Sequence, residues 1–227
     1  GEGRVFTDDE FELAQLFAVS LFLWSLAAAP FRIWLTRAFA PLSLVLLAGS
    51  GAPAMSLALA LGGLVVLGGS AYEQVRRLTP WVAAGAVAAS LLAWVQGAWA
   101  WRLASDFSAA ELLSTGRLWL WFMWPAWLLA LWTLWRWRRH LQNRHVSVPL
   151  VTVVVALASS FAMGGSDRAL LLGLPGLAVL AAFALPTLHR STTAAIDWFS
   201  MILFTLCAGT LWVIYSSLML GVPAKPA

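Results

Sequence analysis

Few side chains in this chain can do chemistry, and three arginines lead them. Arg168 closes the run GGSDR between two apolar stretches, and Arg102 and Arg117 flank another such gap. A guanidinium is planar, permanently charged and forked, so it can grip phosphate through two parallel hydrogen bonds. At the end of an apolar stretch it is costly without such a partner. Arg168, Arg117 and Arg102 are therefore candidate phosphate ligands. The plainer reading of Arg168 is a local ion pair with Asp167, or a stem that carries its charge out to water. Trp121 and Trp124 form a candidate surface for a lipid chain or a sugar, because an indole face suits both; anchoring at a membrane boundary is the alternative.

Other clusters offer less. Asp8, Asp9, Glu10 and Glu12 could hold a divalent cation through oxygen ligands, but an exposed acidic segment needs no such role. His140 and His145 stand in the basic run RWRRHLQNRH, where a metal would meet repulsion and find no third ligand. That run reads as a topology signal touching anionic lipid headgroups. The single cysteine, Cys207, lies inside an apolar stretch and supports neither a disulfide framework nor a thiolate metal site. Phosphate-binding glycine loops, HExxH and GxSxG are not found.

These residues must be positioned by apolar segments. Of the 227 residues, 61% are hydrophobic and only 11% charged, with a mean hydropathy of +0.83, a composition that cannot form a water-soluble surface. A run of about 20 apolar residues crosses a bilayer, and only a helix satisfies its own backbone there. The expectation is an all-α transmembrane bundle forming one domain over 1–227. Its eight spans fall at about 13–31, 38–49, 53–71, 81–101, 118–135, 146–163, 169–185 and 197–220. The second is short unless it begins near Ile33; merging it with the third would leave seven.

Loop charge favours eight. One side then receives Arg32, Arg37, Arg76, Arg77, Arg136, Arg138, Arg139, Arg144 and Arg190 against Glu73 and Asp197, whereas acids outnumber bases on the other. Cytoplasmic loops retain arginine, so the first side is expected inside and both chain ends outside. The net charge of +4 is thus a matter of orientation, and nucleic-acid binding is not expected. Gly1 and the acidic residues after it do not resemble a native start or a signal peptide.

Within the spans, Ala58 with Gly62 and Gly85 with Ala89 provide small residues that allow close helix packing. Pro125 and Pro175 are expected to kink their spans. Ser108 to Glu111, SAAE, is a capping box that starts a short helix at Ala109, lying along the interface. Gln15, Gln96 and scattered Ser or Thr offer little to line a transport path, though a transporter or channel and a noncatalytic scaffold remain alternatives. No internal repeat suggests an inverted-repeat transporter.

Three segments carry a resemblance: LWLWFMWPAWLLALWTLWRWRR from Leu118, DRALLLGLPGLAVLAAFALPTL from Asp167, and AAIDWFSMILFT from Ala194. Together they resemble the membrane region of bacterial family 39 glycosyltransferases, relatives of the lipid A aminoarabinose transferase and the protein O-mannosyltransferases. The likeness covers about the last 110 residues well and the first 100 by hydropathy alone. It implies the GT-C membrane fold and transfer of a sugar from a polyprenyl-phosphate donor to a glycolipid such as lipid A, or to a protein, at the outer face of the bacterial inner membrane. It also implies that the catalytic carboxylate lies upstream, so that this chain corresponds to later spans and would be inactive alone. On this reading Arg168 stabilises the leaving phosphate, with Arg117 and Arg102 as further candidates. Asp197, on the inner side, orients or caps the last helix. A divalent cation is left open for the intact enzyme, with no site among these residues.

Overall fold

The computed structural model of the chain describes residues 8–29, 31–70, 72–98, 109–141, 143–162, 167–188 and 190–220. Among the described residues every regular element is helical. The chain divides into two compact units, Gly1–Ala184 and Leu185–Ala227.

The first unit holds α1 (Asp8–Ala28), α2 (Ile33–Gly49), α3 (Pro53–Gly68), α4 (Glu73–Arg76), α5 (Thr79–Val95), α6 (Ala109–Phe122), α7 (Ala126–Arg136), α8 (Arg144–Ala162), α9 (Asp167–Leu171) and α10 (Leu174–Ala184). The second opens with a single 3-10 turn, Leu185–Thr187, and continues as α11 (Arg190–Leu220). Local chemistry sets several boundaries. α3 and α5 each carry proline in their first two positions, where its missing N–H has no helical partner to lose. The turn from α2 into α3 passes through Gly51 at φ 91°, a left-handed conformation that glycine adopts without steric penalty.

Among the described residues, five helical segments are long and apolar enough to cross a membrane: Phe11–Ala28, Glu73–Val95, Arg144–Ala162, Ala169–Thr187 and Ala194–Met219. A sixth arises if the bent pair α6 and α7 counts as one, while α2 and α3 are shorter apolar helices. The second expected stretch does begin at Ile33 and is a helix separate from α3.

Several local expectations need correction. The stretch 118–135 is not one straight helix, because α6 and α7 meet at Pro125 with a bend of 90°, far beyond a kink. The capping-box helix and the start of that stretch are also one element, since α6 runs unbroken from Ala109 to Phe122. By contrast, the interruption expected at Pro175 is present: α9 and α10 break at Leu172 and Gly173, inside the stretch Ala169–Thr187. Asp197 is exposed well inside α11, which starts at Arg190, and is too far along to cap that helix.

Contacts along the first unit fix the helix directions. Gln15 Nε2 donates to the Ser50 carbonyl at 2.8 Å, tying the early part of α1 to the far end of α2. Gly63 of α3 packs on Phe22 and Leu26 of α1. Ser159 of α8 donates to Met55 Sδ of α3 at 3.4 Å, and Gly62 meets Val151, so α8 runs antiparallel to α3. Gly176 of α10 approaches the Pro149 carbonyl and Thr152, so α10 runs back along α8. One end of the unit thus gathers the α1–α2 turn, residues 69–78 and residues 136–144. The other gathers Ser50, Met55 and Ser159.

Small residues make this packing possible. A Cβ on Gly85 would lie 2.5 Å from the Pro41 Cα, so α5 rests directly on the backbone of α2. Ala89, one turn on, is fully buried. The expected pairs of small residues are therefore packing surfaces, and Leu26, Leu44, Leu47, Leu59 and Leu67 fill the core around them.

Candidate functional site

The candidate site residues that can be followed lie toward the end of the first unit that holds Ser159. Arg117 and Trp121, four residues apart on α6, share one face of that helix, and both are exposed. Trp121 is 73% accessible, so an indole and a guanidinium are both offered on that face. The opposite face of α6 anchors it: Thr115 is buried, and the Trp119 indole N–H donates to Ser160 Oγ on α8 at 3.3 Å. Within the bend, Trp124 is exposed, and its ring centroid lies 6.4 Å from that of Trp127.

Arg168 lies in α9, the short helix that packs against α8. Gly173, just after α9, approaches Ala156 of α8 closely enough that a Cβ would sit 2.9 Å from it. Thus α6 and α9 both attach to the later half of α8. Arg102, the preceding GGS of the Arg168 run and Ser108 of the capping box lie outside the described residues. Asp8, Asp9 and Glu10 are the first three residues of α1. Among the described residues no three His, Cys, Asp or Glu side chains gather as metal ligands would.

The polar interior is committed to packing. The buried polar residues are all Ser and Thr among the described residues. Ser25, Thr36, Ser43 and Thr152 return their hydroxyl protons to carbonyls of their own helices. Ser56 donates to the Leu44 carbonyl and Thr133 to that of Leu180, each at 2.7 Å. These hydroxyls join helices and do not line a path. Gln96 is at the end of α5 and Gln15 is engaged with Ser50.

Sequence reasoning missed the groups at the opposite end. Arg37, Arg138 and Arg144 lie over Trp34, Trp135 and Tyr72 at 5.3, 6.0 and 5.9 Å from the ring centroids. The first two pairs are each three residues apart in sequence, Trp34 and Arg37 within α2 and Trp135 and Arg138 across the end of α7, a spacing that could have revealed them. Arg144 and Tyr72 are far apart in sequence and meet only through the pairing of α3 with α8.

Compared with protein-family models, with curated proteins and with solved structures, the chain finds no match in any of the three. Among the described residues the regular elements are all helical, and several helices are long and apolar enough to span a membrane.

Proposed function

We propose that this chain forms later membrane spans of a GT-C type glycosyltransferase, which transfers a sugar from a polyprenyl-phosphate donor to a glycolipid or protein acceptor at the outer face of a bacterial inner membrane. The resemblance of the Leu118, Asp167 and Ala194 segments to family 39 enzymes supplies the reaction class. The observation that carries it is the exposure of Arg117 and Trp121, four residues apart on α6, at the end of the first unit remote from its arginine-rich turns. A donor of this class has a phosphate, a sugar and an isoprenoid tail. A guanidinium answers the first, and an indole face answers either of the others.

In the transfer, the acceptor oxygen attacks the anomeric carbon, the bond from that carbon to the phosphate oxygen breaks, and negative charge grows on the departing phosphate. Arginines here would stabilise that charge, with the proton of the acceptor taken by a carboxylate upstream. The eight-span arrangement with both ends outside belongs to the same reading, with α2 and α3 as short spans.

The test is transfer from a radiolabelled polyprenyl-phosphate sugar by the full-length protein containing this chain, in inner-membrane vesicles. Activity that falls about tenfold or more in Arg117→Ala, with Trp121→Ala raising the donor concentration needed, is the expected result. Absence of transfer from any polyprenyl-phosphate sugar by the well-expressed full-length protein would overturn the reading.

A further inference from the structure

The arginine-rich end of the first unit has charge that the protein does not neutralise. The α1–α2 turn with the start of α2, residues 69–78 and residues 136–144 bring Arg32, Arg37, Arg76, Arg77, Arg136, Arg138, Arg139 and Arg144 to one end, with Glu73 as their one carboxylate. Glu73 is used by Arg77, at 3.0 Å. Arg37, Arg138 and Arg144 lie on aromatic rings instead. A ring attracts the face of a guanidinium but leaves its in-plane N–H groups to find acceptors elsewhere.

Arg144 is the most confined of the three. It is half-buried at the start of α8, with the Tyr72 ring beside it and Nη2 at 3.3 Å from His145 Nε2. Its Nε and Nη1 are closed off from solvent and have no acceptor. Ser147 Oγ, one helical turn further along α8, is buried and likewise without a partner. A guanidinium carries five N–H donors, and among the described residues this one has a single ring nitrogen within reach. Trp135 and Trp137 stand close by in sequence at the end of α7, and indoles of this kind settle at the depth of lipid headgroups.

We infer that Arg144, with Ser147, forms a seat for the phosphate of an acidic phospholipid headgroup at the arginine-rich end of the bundle. A phosphodiester at that depth supplies two anionic oxygens to the guanidinium fork and an acceptor to the hydroxyl. The side chain reaches it by pivoting off Tyr72 on its flexible stem. Arg37 and Arg138 add positive charge to the same end of the unit, which favours an acidic lipid over a zwitterionic one. This seat is independent of the donor site proposed on α6, at the opposite end.

The full-length protein is purified in a neutral detergent, given phosphatidylglycerol or phosphatidylcholine, and the lipid retained on it is measured by native mass spectrometry. Wild type should retain phosphatidylglycerol in clear preference. Arg144→Gln should weaken that retention about tenfold, Arg144→Lys less, and Ser147→Ala about threefold. Arg77→Gln should change it less than twofold, because Glu73 already neutralises Arg77. Equal losses in Arg77→Gln and Arg144→Gln would reduce the effect to net charge and overturn the seat. Unchanged retention in both Arg144→Lys and Ser147→Ala would also overturn it, and these milder variants decide the matter if Arg144→Gln does not fold. Displacement of the lipid by millimolar inorganic phosphate would mark a small-anion site and overturn the lipid assignment.

Discussion

Thr133 Oγ1 donates a 2.7 Å hydrogen bond to the backbone carbonyl oxygen of Leu180, joining α7 to α10 within the packed interior. Both residues are buried, and Ala130, Val146 and Leu177 surround them. Thr133→Val keeps the shape and removes the donor. It should lower stability by about 0.6 kcal/mol, with about 1.7 kcal/mol as a ceiling, since hydrogen bonds between membrane helices are worth little net. Thermal unfolding in mild detergent, read by loss of soluble monomer, checks this.

Glycines at helix contacts and in open space should behave oppositely. Gly85→Ala drives a methyl group into the Pro41 backbone and should destabilise the chain by about 1–3 kcal/mol. Gly116→Ala, within α6 and with nothing within 4 Å of the new Cβ, should be neutral or stabilising by up to about 1 kcal/mol. The same melting measurement compares them. Equal effects would contradict the α2–α5 contact.

The proposed orientation is open to a direct reading. A reporter that functions only in the cytoplasm should be active when fused after Arg77 or Arg144 and silent after Asp106 or Ala227. Activity after Asp106 would reverse the assignment.

Arg168 allows a graded kinetic test in the full-length protein. If it holds the leaving phosphate, Arg168→Ala should cut transfer on the order of tenfold to a hundredfold, from a loss of about 1.5–3 kcal/mol in a charged hydrogen bond. Arg168→Lys should lose less, keeping the charge without the fork. Full activity in a normally inserted Arg168→Ala protein would make it a span-end anchor.

The helical class was legible because hydropathy is summed over many residues, and the start of α2 at Ile33 was legible from the length a short apolar run lacked. The break at Pro125 was visible as a proline, but its 90° size was not, because the angle depends on how α6 and α7 each pack on neighbours remote in sequence. The interruption beside Pro175 was legible in the same way, as a proline inside an apolar run. Asp197 was misread as a cap because hydropathy marks where an apolar run begins, whereas α11 starts at the more polar Arg190. Of the candidate site, the Arg117–Trp121 spacing was already in the sequence. The junction of Arg144 with Tyr72 was not, because it arises only when α8 folds back along α3.

The right angle at Pro125 bears on the lipid around the protein. Ala126, Ala130 and Thr133 keep α7 along α10, so α6 crosses the bundle direction. With 14 residues it measures about 21 Å. With α7 crossing a bilayer along the bundle direction, α6 would lie near the membrane plane and widen the protein's footprint there by its own length.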